Sequence, residues 1–106
     1  MVNSHVLDRR LAALSDPTRR AIVERLSEGE ATVSELAEPF EMSLPAVLKH
    51  LGVLESAGLM RSHKVGRVKT CRLDPAALDP VAAWVEERRE IWKRRLDALE
   101  RHLEDS

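Results

Sequence analysis

The sequence predicts a mainly α-helical fold with one small β-hairpin, and three observations predict it. Leu, Ala, Glu and Arg dominate the composition, which is a helix-forming set. Apolar residues recur at helical spacing, bounded by capping residues, along most of the chain. In the stretch "LMRSHKVGRVKTCRL" that spacing lapses, around Gly66. With 106 residues, 43% hydrophobic and 33% charged, the chain reads as one globular domain spanning residues 1–106, without repeats or low-complexity linkers.

The elements follow in order. Val6, Leu7, Leu11 and Leu14 place a first helix over about 4–14. "SDPTRRAIVERLSEG" is a bounded second helix. Asp16 caps it, Pro17 suits its first position, Ile22, Val23 and Leu26 form the buried stripe, and Gly29 stops it. Thr32 and Glu35 stand as a T-x-x-E capping box opening a short third helix, with Leu36 and Ala37 inward and Pro39 limiting its length. Ser43 is a second N-cap with Pro45 in the first turn behind it. Val47, Leu48, Leu51 and Leu54 then form an apolar face over about 43–57, and Gly58 ends the helix. Val65-Gly66-Arg67 separates two short runs, giving a hairpin over about 60–73 with Lys64, Arg67 and Lys69 exposed around its tip. Asp74-Pro75 starts a helical turn, and Asp79-Pro80 starts a long helix over about 80–104.

Two short helices joined by a tight turn, then a basic hairpin, make a winged helix-turn-helix plan. The charge distribution agrees. The net charge is −1, yet residues 43–73 carry six basic side chains against Glu55 alone, while both flanks are acidic. A cationic centre between acidic flanks points to a polyanion partner for the middle segment. The chain lacks a Gly-rich phosphate loop and a nucleophile–base–orienter set, which argues against an enzyme. No apolar run approaches the roughly 18 residues of a membrane span. "MVNSHVLDRR" has no apolar signal core, and the single Cys71 suits a reducing compartment, so a cytoplasmic location is expected.

The last helix carries a second message. Val85, Trp92, Leu96, Leu99 and Leu103 step by 7, 4, 3 and 4 residues, close to coiled-coil spacing. A helix of this length runs about 37 Å, more than the preceding small core can cover. Its apolar edge is expected to meet a second copy, with the first helix beside it through Val6, Leu7 and Leu11. At the dimer interface between the first and last helices, where a ligand pocket is the alternative, Trp84 and Ile91 are expected to act as core packing.

The segments "ALSDPTRRAIVERL", "TVSELAE", "MSLPAVLKHLGVLESAGLM" and "RSHKVGRVKTCRL" resemble the ArsR/SmtB family of bacterial repressors over nearly the whole chain. The resemblance implies a homodimer on an inverted-repeat operator in double-stranded promoter DNA, released by a signal such as a small-molecule inducer. On this reading the second helix of the helix-turn-helix unit is the recognition helix. Ser43 can donate to a phosphate as well as cap. Pro45 and Ala46 are small enough to approach base edges, and Lys49 and His50 project opposite the buried stripe as the reading face. Lys64, Arg67 and Lys69 on the wing would touch the flanking backbone or minor groove.

Soft-metal sensors of this family carry "ELCVCDL" before the recognition helix. The matching stretch here is "EATVSEL", with Thr32 and Ser34 where the thiolates would stand, and hydroxyls are poor ligands for soft ions. A second metal subclass uses D-x-H and H-x-x-E/H pairs on the last helix, where this chain has His102 alone. No metal or cofactor is therefore expected. Cys71, without a second cysteine, reads as a buried wing-strand residue. The competing readings are a winged-helix protein-interaction module and a metal- or redox-responsive repressor. The basic, small-residue face of the recognition helix favours DNA over a protein partner.

Overall fold

A computed structural model describes residues 4–105. Residues 1–3, on which the expectation for the chain's start partly rests, lie outside the described residues, as does residue 106. The chain runs α1 (Ser4–Leu14), α2 (Pro17–Leu26), β1 (Ala31–Thr32), α3 (Val33–Ala37), α4 (Leu44–Ser56), β2 (Met60–Val65), β3 (Val68–Leu73) and α5 (Asp79–Glu104).

Side-chain caps set the helix starts. Asp16 accepts the Arg19 N–H at 3.0 Å, with Pro17 as the first residue of α2. Thr32 and Glu35 close the reciprocal box: Thr32 Oγ1 accepts the Glu35 N–H at 3.2 Å, and Glu35 Oε1 accepts the Thr32 N–H at 3.0 Å. Ser43 Oγ accepts the Ala46 N–H at 3.3 Å to start α4. That helix stops at Gly58, whose φ of +79° lets the Leu59 N–H turn back to the Leu54 carbonyl at 3.0 Å.

The three strands form an antiparallel sheet in the order β1-β3-β2. Val65 pairs with Val68, so the hairpin turn is Gly66-Arg67, with Gly66 at φ +62°. A left-handed first turn residue matches the twist of the strands it joins. β1 carries no signal of its own in the sequence; Ala31 pairs with Cys71 and Thr32 with Thr70, anchoring the wing to the foot of α3.

Ile22, Leu36, Val47, Leu51, Leu54, Leu59, Met60 and Cys71 form the fully buried centre, where α2, α3 and α4 close over the inner face of the sheet. One expectation needs correction. Leu48 is 42% exposed and lies outside the core, because the buried stripe of α4 is the narrower set Val47, Leu51 and Leu54. On α1 the buried residues are Leu7 and Ala13, while Leu11 faces out. Within the single chain Trp84 and Ile91 are exposed, and the Arg88 guanidinium lies over the Trp84 ring, 5.1 Å from its centroid.

α5 packs on α1 through its first turns and then leaves the body. None of its residues is buried. The molecule measures 70 × 31 × 21 Å with a radius of gyration of 18.9 Å, against about 13 Å for a compact chain of this length.

Candidate nucleic-acid interface

α4 presents three sides. Its inner side is the core stripe. The side opposite carries Pro45, Lys49 and Gly52, all exposed. Between them, one flank meets α1 and α2 and the other borders the wing. The Ser43 cap leaves its own hydroxyl proton available to an acceptor, and the helix N-terminus adds the positive end of its dipole. Pro45 is exposed and Ala46 half-buried beside it, so the backbone of this first turn is accessible to a close surface.

His50 does not share the outward direction expected for it. It is half-buried against the start of α2, with Nδ1 3.3 Å from Arg19 Nη1 and 3.8 Å from Asp16 Oδ2. In the tautomer that accepts from Arg19, Nε2 carries the remaining proton as a donor. Asp16 is held below the ordinary carboxylate range, first by the Arg19 backbone N–H and then by the charges of His50 and Arg19. The Asp16 cap and α4 are thus parts of one polar cluster.

Arg19 and Arg20 reach the carbonyl end of α1. Arg19 donates to Ala13 O at 2.6 Å and Ala12 O at 3.3 Å, and Arg20 to Leu14 O at 2.9 Å. Two further arginines of α1 clamp the other end of α4. Arg9 donates to the Ser56 carbonyl, and Arg10 donates to Ala57 O at 3.1 Å and Ala77 O at 2.6 Å. This network, which fixes α4 relative to α1 and to the turn before α5, is not legible in the sequence, because nothing local distinguishes a clamping arginine from a solvated one.

On the wing, Lys64 and Arg67 are exposed and Lys69 is half-buried. Glu55 accepts the Ser62 hydroxyl at 2.8 Å and Arg61 pairs with Asp74 at 3.1 Å, holding the hairpin against α4 and against the turn before α5. Cys71 is fully buried on the sheet's inner face, and desolvation raises its thiol pKa, so it stays protonated. Among the described residues, no group of three or more His, Cys, Asp and Glu side chains is placed to hold a metal ion, and no helix is long and apolar enough to cross a membrane.

Of the residues expected to face a second copy, Leu7 is already buried within the chain and Val6 is half-buried, whereas Leu11, Val85, Trp92, Leu96, Leu99 and Leu103 are exposed. Two leucines on the flank of α4 that borders the wing are exposed against the sequence reading, which passes over Leu44 and assigns Leu48 to the apolar face. A signal is present, since residues 44 and 48 fall to one side of the Val47–Leu51–Leu54 stripe, but an apolar residue near a stripe reads by default as part of it.

Comparison with known proteins agrees with this geometry. A helix-turn-helix domain family matches residues 14–63. The HTH-type transcriptional regulator Rv2034 of Mycobacterium tuberculosis is 48% identical over 71 residues, 67% of this chain and 66% of that protein. The transcriptional repressor SdpR of Bacillus subtilis is 34% identical over 73 residues, 69% of this chain and 81% of that protein. The crystal structure of an ArsR family transcriptional regulator matches with a TM-score of 0.83 at 48% identity, covering 87% of this chain and 95% of that one. With its helix-turn-helix unit, its basic wing and these relatives, the chain belongs to the ArsR/SmtB family of DNA-binding transcriptional regulators, which are not enzymes.

Proposed function

We propose that the chain is one winged helix-turn-helix unit that works as a homodimeric, sequence-specific repressor on promoter DNA, without a metal. The observation that carries this reading is α4. It is capped by Ser43, clamped at its far end by Arg9 and Arg10, and open along the side that bears Pro45 and Lys49. A helix held rigidly at both ends with small and cationic residues outward suits the major groove. Ser43, Pro45, Ala46 and Lys49 form the reading surface, with His50 behind it against Asp16 and Arg19, and Lys64, Arg67 and Lys69 engage the flanking backbone. The dimer forms through α5, by Val85, Trp92, Leu96, Leu99 and Leu103, with Leu11 of α1 beside it. Two recognition helices then meet half-sites of an inverted repeat about 34 Å apart. Metal independence is supported by Thr32 and Ser34 standing where soft-metal sensors of the family carry thiolates.

The test is fluorescence anisotropy of the purified protein on the DNA upstream of its own gene and on a scrambled duplex, at two salt concentrations, with and without chelator. A preference on the order of 10³ or more that persists in chelator is expected. Equal weak binding to both duplexes would refute the repressor reading.

A further inference from the structure

Leu44 and Leu48 are the large apolar side chains that α4 leaves in the open, 53% and 42% exposed. They stand four residues apart, so they lie one above the other on the same flank. That flank lines a cleft together with the start of α3, through Thr32, Val33 and Ser34, and with the wing, where exposed Val68 stands among Lys64, Arg67 and Lys69. An apolar strip is therefore bordered by cations on its wing side, at the N-terminal half of a helix whose dipole adds further positive potential. A protein partner fitting this strip would have to be apolar at its centre and acidic around it. A DNA duplex meets both demands without special composition, because phosphates match the cations on every sequence. Within the duplex the apolar group on offer in the major groove is the C5-methyl of thymine. Each hydrogen-bonding base edge, by contrast, would be desolvated against a leucine without return.

We infer that Leu44 and Leu48 read thymine methyl groups, so that each operator half-site carries thymines against the first two turns of α4. This rests on the repressor reading above and adds the chemistry of the bases that α4 selects. It also assigns specificity to two residues that can make no hydrogen bond through their side chains.

The experiment uses the upstream duplex and the same duplex with every thymine replaced by deoxyuridine, which pairs identically and lacks only the methyl. Binding of both is measured for the native chain and for the Leu44→Ala/Leu48→Ala variant, with circular dichroism confirming that the variant is folded. The native dimer should bind the deoxyuridine duplex more weakly, on the order of a hundredfold or more, from about fourfold for each of the four methyls, two per half-site, that are no longer buried against a leucine. The variant should bind both duplexes alike. If the native chain prefers its upstream DNA over scrambled DNA yet binds both thymine and deoxyuridine forms equally, the methyl-reading role is wrong while the repressor reading stands. If the variant retains the native chain's discrimination, the methyls act through DNA shape and the leucines do not read them. A native chain with no preference for upstream DNA over scrambled DNA overturns both.

Discussion

Thr32 shows how much local chemistry a single side chain carries here. It caps α3, pairs through β1 with the wing strand, and exchanges hydrogen bonds with Glu35, so Thr32→Ala should cost about 1 kcal/mol in urea unfolding. Leu51 and Leu54, buried at the centre, belong to a different class, and Leu54→Ala should cost about 2–5 kcal/mol by the same measurement. Asp16, Glu35 and Asp74 share a lowered carboxyl pKa, each chiefly because a backbone N–H donates to the ionised form. The folded state therefore favours their deprotonated forms. The stability they contribute is present above the unfolded carboxylate range of about pH 4 and is lost as pH falls through their lower folded values. Urea midpoints measured from pH 6 to pH 2.5 should fall along that limb, and Asp74→Asn should flatten it; an unchanged limb would remove Asp74 from the account. For DNA, Lys49→Ala should lower affinity and relax specificity. Arg67→Ala should weaken all sequences and reduce the salt slope by about one. Equal losses on specific and random DNA for Lys49→Ala would assign Lys49 to phosphate.

The helix-turn-helix elements differ in how far their neighbours can be read from the chain. Starts and stops are legible because caps act over three or four residues: Asp16 before Pro17, the Thr32–Glu35 box, Ser43 before Pro45, Gly58 after α4. The β-hairpin is legible from Gly66 between two aperiodic runs. What stays hidden depends on residues distant in sequence. β1 exists only because β3 returns beside it, His50 turns inward only because Asp16 and Arg19 stand there, and Leu48 stays outside because the wing does not close over it. Two glycines of this region make a paired test. Gly58 has a positive φ, and a Cβ there would lie 2.9 Å from Arg10 Nη2, displacing the clamp that holds α4 to α1. Gly58→Ala should therefore destabilise by about 1–3 kcal/mol. Gly52 lies mid-helix on the open side of α4 with nothing within 4 Å of an added Cβ. Gly52→Ala should stabilise by about 0.5–1 kcal/mol, and a thermal midpoint that drops for both would contradict the assignment of Gly52 to an open helix face.

The shape of the whole molecule argues for its assembly. α5 has 26 residues, none of them buried, and most of it extends beyond the body that the other elements form. Helices in proteins draw most of their stability from packing an apolar face, and this one leaves Trp92 at 63%, Leu96 at 51% and Leu99 at 54% exposed. These side chains lie at positions that repeat close to every 3.5 residues, which aligns them along one edge instead of around the helix. The proposed pairing with the same edge of a second copy would satisfy both the helix and the leucines, and would place two copies of α4 at a fixed separation. On that proposal helix content, mass and DNA affinity are linked. Sedimentation of the native chain at micromolar concentration should give a dimer. Leu96→Asp/Leu99→Asp should give a monomer with lower helical ellipticity, because the outer half of α5 melts while the buried centre stays folded. The same variant should lose the salt-resistant part of operator binding, since one recognition helix contacts only half of an inverted repeat. A native chain that sediments as a monomer with α5 fully helical would refute the pairing, and with it the half-site spacing predicted for the operator.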